Sequence, residues 1–163
     1  MCTFVFLGLP RGHGALVERL RTLGFSVDPN ANPSITAAFP PKTDAFVVTR
    51  GGCSCDLHAE APPLDRADAD RDRYRRKGWN AAKVERAVAA KDRGERSELR
   101  AFREAIVAIV GESGRLHLLA HTFSGTVDIE VIAVGGSAVL DVDAYAANGG
   151  CYAMDTLVTV SSS

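Results

Sequence analysis

Residues 97–123, SELRAFREAIVAIVGESGRLHLLAHTF, change periodicity halfway, and that change decides the fold class. From Ser97 to Val110 the large apolar residues Leu99, Phe102, Ile106, Ile109 and Val110 recur three or four apart and form one stripe on a helix. Past Gly111 and Gly114 the period drops to two, and RLHLLAHTF alternates as a half-buried strand does. A helix with one apolar stripe running directly into a strand predicts a helix laid on a sheet, an α+β chain.

Toward the C-terminus two more stretches alternate, TVDIEVIAV (126–134) and SAVLDVDAY (137–145), set apart by Ser-Gly and Gly-Gly-Ser breaks. With RLHLLAHTF they are predicted to form an antiparallel β-meander. In the middle stretch Val127, Ile129, Val131 and Ala133 share one face and Asp128, Glu130, Ile132 and Val134 the other, one face core and the other partly wet. The tail, AANGGCYAMDTLVTVSSS, is expected to add a last strand. Its TLVTVSS resembles the end of an immunoglobulin heavy-chain variable domain over those seven residues, while the rest of the chain lacks the Cys…Trp…Cys framework of that fold.

Toward the N-terminus, residues 3–9 read as a buried strand, and Leu16, Val17, Leu20 and Leu23 fall at helical spacing before Gly24, a helix-stopping position. A Pro- and Asn-rich stretch (28–33) leads to a short apolar strand at Ile35–Phe39, a Pro-Pro turn and the strand Ala45–Thr49. Residues 1–61 thus read β-α-β-β, half of a split βαβ layer. Residues 62–112 form a charged helical insert of three helices. The first, from Leu64 with Asp65 as N-cap, runs through DRADADRDRYRRK to Gly78, and Trp79 closes its end. The second, capped by Asn80, reaches about Arg93 before Gly94, and the third starts at Ser97. Residues 113–163 hold the meander and tail. The whole is expected to be one domain, with a mixed or antiparallel sheet of about five to six strands.

The chain has 163 residues, 46% of them hydrophobic, which is sufficient for a core without a metal or disulfide. A net charge of −1 argues against a protein that is basic overall, and no apolar run is long enough to span a membrane. The start, MCTFVFLGLPRG, lacks a basic n-region and alternates like a strand, so it reads as structure. Four cysteines are too few for a disulfide scaffold, and a reducing, cytoplasmic setting with free or metal-bound thiols is expected.

The chemistry-bearing stretch is VVTRGGCSCDL (47–57). Gly51 and Gly52 after a strand permit a sharp turn, and Cys53, Cys55 and His58 follow as C-x-C-x-x-H, a donor set suited to zinc, with copper(I) or iron as alternatives. A fourth ligand would come from Cys2, Cys151, Asp56, His117 or His121. The same residues allow two other readings: Cys53 and Cys55 as small buried residues ending a core strand, or as reactive thiols with Arg50 lowering a thiol pKa. His117 and His121, four apart on a strand, lie roughly 13 Å from each other and cannot share an ion directly. His13, in RGHG, reads as a turn residue, because the P-loop lysine and the glycine spacing of a dinucleotide site are missing.

Residues 66–103 carry thirteen Lys and Arg against seven Asp and Glu, and the remainder six against thirteen. The charge is partitioned, with Arg73, Arg75, Arg76 and Lys77 as its densest cluster. An acidic protein surface is the expected partner, nucleic acid a weaker alternative, and intrahelical ion pairing on a solvated face the plain structural reading. Three functions follow: a non-catalytic Cys53/Cys55/His58 metal or thiol site, an interaction module using the basic helices, and a small thiol enzyme with Cys53 or Cys55 as nucleophile, Arg50 steering an anionic substrate and His58 as base. Catalysis has the least support.

Overall fold

The structure, a computed structural model, describes residues 1–60 and 66–163, with side chains for all of these except 66, 67 and 91–96. Strands β1 (Cys2–Pro10), β2 (Ser26–Pro29), β3 (Thr43–Thr49), β4 (Arg115–Phe123), β5 (Gly136–Asp141) and β6 (Thr156–Ser161) form one sheet in the order β2-β3-β1-β4-β6-β5. The α-helices among the described residues are α1 (Glu18–Thr22, entered through a 3₁₀ turn at Gly14–Val17), α2 (Pro33–Ala38), α3 (Arg66–Arg76), α4 (Ala81–Ser113) and α5 (Val142–Ala147). The chain is α+β with a mixed sheet: every neighbouring pair is antiparallel except β5 and β6.

Strand alternation splits the core in two. Val5, Leu7 and Leu9 of β1 and Leu116, Leu118 and Ala120 of β4 face the side covered by α1, α4 and α5, where Phe102, Ile106, Ile109 and Val110 deliver the predicted helical stripe. Each of these Val, Leu, Ile and Phe side chains stabilises the fold by about 1.5–3 kcal/mol. The opposite face gathers Phe6, Leu119 and Phe123 with Ile35 and Phe39 from α2 and its end. Helix ends follow the predicted signals. Gly24 and Gly78 sit in the left-handed region (φ 86° and 76°), and the residue after each donates its N–H back over the last turn, Phe25 to Leu20 at 3.1 Å and Trp79 to Tyr74 at 3.3 Å.

Four expectations are corrected. The insert holds two described helices in place of three, because α4 runs unbroken through Gly94. A mid-helix glycine costs about 1 kcal/mol, less than the flanking anchors supply: Val84 and Val88 are buried on one side of it, and Phe102 and Ile106 on the other. Ile35–Phe39 is a helix end in place of a strand, since Pro33 occupies the first turn and the Asn32 carboxamide accepts the Ser34 N–H at 2.8 Å. The strand preceding it is Ser26–Pro29.

Residues 126–134 form no strand. Their backbone is captured by side chains: Asn32 Nδ2 donates to the carbonyls of Val127 (2.6 Å) and Glu130 (2.8 Å), and Ser34 Oγ accepts the Ile132 N–H (3.1 Å). Val127, Ile132 and Val134 pack on the second core cluster, leaving Ile129 and Val131 exposed. Finally, SAVLDVDAY divides at Asp141, whose carboxylate accepts the Asp143 N–H (2.8 Å) and starts α5. The C-terminal part is therefore a β5-α5-β6 crossover beside β4, not a meander, as a parallel pair requires. The tail that reads TLVTVS is β6 itself, seated between β4 and β5 with Val158 and Val160 in the core. The helix start at Leu64 and Asp65 lies outside the described residues.

Candidate functional site

The cysteine loop is built as a hairpin turn off β3. Gly51 (φ 64°) and Gly52 (φ 97°) supply the two consecutive left-handed residues of a type I′ turn, and the Arg50 N–H donates to the Cys53 carbonyl at 2.8 Å. Most side chains at either position would be strained, so the Gly-Gly pair suits this turn.

Ser54 then anchors the loop. It is fully buried, its N–H donates to the Thr3 carbonyl (2.9 Å), and its hydroxyl accepts the Val5 N–H (2.9 Å) while donating to the Val48 carbonyl. Ser54 is turned inward between two cysteines whose thiols interact with each other. Cys55 is exposed and Cys53 half-buried, and both are free thiols. The Cys55 N–H favours the Cys53 thiolate, but the Cys55 thiol, partial burial and the charges of Cys55 and Asp56 outweigh it, so the Cys53 pKa is raised.

The other sequence candidates are drawn elsewhere. His58 is buried, donates from Nε2 to the Tyr152 carbonyl at 2.8 Å and meets the Tyr152 ring edge-on at 4.7 Å. It ties the loop to the segment before β6. Arg50, expected to activate a thiol, pairs with Glu98 at 2.8 Å, donates to the Leu23 carbonyl and lies over the Phe25 ring, which accounts for the absence of any lowering influence from it on Cys53. Cys2 is exposed at the start of β1, next to the Thr3 carbonyl that holds Ser54. Cys151 is buried, and burial raises its thiol pKa. Asp56 is exposed beside the thiols. His117 shares a hydrogen bond with Thr159 Oγ1 (2.9 Å). Among the described residues no three His, Cys, Asp or Glu side chains are placed to share a metal ion. The loop itself brings together two sulfurs, half of the four donors that zinc takes in a structural site.

One cluster escaped the sequence. The Asp155 carboxylate accepts a hydrogen bond from His121 Nδ1, and His121 Nε2 lies 3.7 Å from Glu130. The Gly125 N–H (2.7 Å), then the Ser124 N–H and His121, hold the Glu130 carboxyl below its ordinary pKa. These residues come from three separate segments with no shared spacing; only the fold unites them. Their work is to bolt the 124–134 loop to β4.

On the charged arm, Arg71 pairs with Asp68 (2.7 Å) and Glu85 (3.0 Å), and Arg75 lies 3.7 Å from Asp72. Arg73, Arg76 and Lys77 are exposed and, among the described residues, in no ion pair. Trp79 stacks on Tyr74 (4.8 Å, 7° between planes) with the Lys83 ammonium 4.2 Å over its ring, so the aromatics close the α3–α4 turn on themselves. In comparisons with family models, curated proteins and solved structures, nothing matches the chain.

Proposed function

We propose that Cys53 and Cys55 form a non-catalytic redox-responsive thiol pair. The observation that carries this reading is the interaction of the two thiols with each other, on a glycine-turn loop that Ser54 anchors to β1 and β3. The raised Cys53 pKa keeps that thiol protonated at neutral pH, which disfavours a standing nucleophile and suits a dithiol that reacts only when an oxidant arrives. With a small-molecule disulfide as oxidant, Cys55 attacks first. Cys53 then resolves the mixed disulfide, two thiols giving up two protons and two electrons, and the oxidant leaving as two thiols.

The test is oxidation by glutathione disulfide followed by peptide mass mapping. An intramolecular Cys53–Cys55 bond in the wild type, and a trapped glutathione adduct on Cys55 in Cys53→Ser, support the pair. A stable glutathione adduct in the wild type with no internal bond overturns it.

A second reading rests on the unpaired cations. Arg73, Arg76 and Lys77 at the end of α3 form a basic surface for an acidic protein partner. Pull-down of such a partner should weaken steeply between about 50 and 300 mM salt and be lost in Arg73→Gln, Arg76→Gln, Lys77→Gln; capture indifferent to both changes removes the reading.

A further inference from the structure

The sheet face opposite α4 is open at one end, beside α2. There a pocket of about 360 Å³ lies between the end of β1, the turn into β3 and the start of β4. Three cations line it: Arg11, Lys42 and Arg115. Their only carboxylate neighbour among the described residues is Asp44, 3.8 Å from Arg11 at a largely exposed position, and neither Lys42 nor Arg115 is in an ion pair. The backbone holds the arrangement in place. The Arg11 N–H donates to the Lys42 carbonyl at 2.8 Å, and Lys42 is a non-glycine residue at φ 64°, a conformation costing about 1–2 kcal/mol.

The floor is His117, 6% exposed and two residues along β4 from Arg115, hence on the same face. Its Nδ1 is engaged by Thr159 Oγ1 (2.9 Å) and its ring packs on Phe39 (6.4 Å between centroids). Phe39 in turn rests on Gly8, where a Cβ would come within 2.6 Å of the phenyl ring. Burial and the Arg115 charge lower the His117 pKa, so the imidazole is neutral and offers its second nitrogen without a charge of its own. Three prolines supply rigid apolar walls. Two guanidinium groups and an ammonium around one pocket suit a tetrahedral dianion, a guanidinium pairing with it through parallel N–H bonds, and the volume leaves room for a small organic remainder.

We propose that this pocket binds the phosphoryl group of a small soluble molecule, held by Arg11, Lys42 and Arg115 over His117. The site is separate from the thiol pair and does not depend on it.

The test follows the His117 ring protons by NMR, together with the melting temperature, while inorganic phosphate replaces chloride at constant ionic strength. Saturable movement of the His117 signals with a raised melting temperature is expected. In Lys42→Gln, Arg115→Gln, two exposed positions whose loss leaves the core intact, the affinity should fall at least tenfold, while Arg73→Gln, Arg76→Gln on α3 should match the wild type. Signals that do not saturate, or that respond equally in both double variants, overturn the proposal. Movement with phosphatidate vesicles and none with phosphate would overturn the assignment to a soluble ligand.

Discussion

Ser54 decides more of the thiol loop than either cysteine does. Its hydroxyl satisfies the buried Val5 N–H and the Val48 carbonyl together, bridging β1 and β3 where their own ladder ends. Ser54→Ala orphans that N–H and should cost about 1–3 kcal/mol in urea denaturation. Cys55→Ser, at an exposed site, should stay within about 0.5 kcal/mol of the wild type. Reversal of that order would mean that the cysteine, not the serine, holds the loop. From the sequence, the glycine turn and the two thiols were legible, because a strand, two glycines and a C-x-C are local signals. The role of Ser54 was not, since two of its three partners, Thr3 and Val5, lie about fifty residues away on β1. His58 was misdirected for the same reason: its partner, Tyr152, comes from the far end of the chain.

For the elements, legibility tracked whether a segment's hydrogen bonds are made locally. Helix ends at Gly24 and Gly78 and the cap at Asn80 could be read directly, as capping is set within one turn. The segment 126–134 has a strand's alternation, yet Asn32 and Ser34 capture its backbone, and no pattern within it announces that. Gly94 gave the opposite error, a break inferred where the helix continues. The continuity of α4 is open to a paired test. Gly94→Ala, inside a helix, should stabilise by about 0.5–1 kcal/mol, whereas Gly78→Ala, at a left-handed position, should destabilise by a similar amount. Loss of stability in both would place a real break at Gly94.

The whole molecule is sensitive to acid. His117 has a folded pKa below the ordinary 6.5 because of burial first and Arg115 second. The unfolded chain therefore binds the proton more readily, and stability that is complete above about pH 6.5 declines as the pH falls toward the folded value. Glu130, held down by the Gly125 N–H, and Asp141, held down first by the Ser163 hydroxyl, add losses that begin below their ordinary 4.5 and 3.8. Both carboxylates are half-buried and still reached by solvent, so salt screens their share. Denaturation midpoints should be level from about pH 7 to 8, begin to fall below about pH 6.5, and fall again in stronger acid. His117→Asn should abolish the first decline alone; if the variant keeps it, the proton goes elsewhere.

The 33 residues of α4 span about 50 Å and are gripped differently at the two ends. Phe102, Ile106, Ile109 and Val110 lie in the sheet's core, whereas Val84 and Val88 are buried outside both core clusters, on the stretch of α4 that Glu85 ties to α3 through Arg71. One helix therefore reports two opening reactions. Amide hydrogens near the core exchange with solvent only when the sheet itself comes apart, and those from Val84 to Val88 exchange as soon as α3 peels away. Whatever grips or releases α3 changes the second rate without touching the first, so the helix carries a built-in gauge of its own arm.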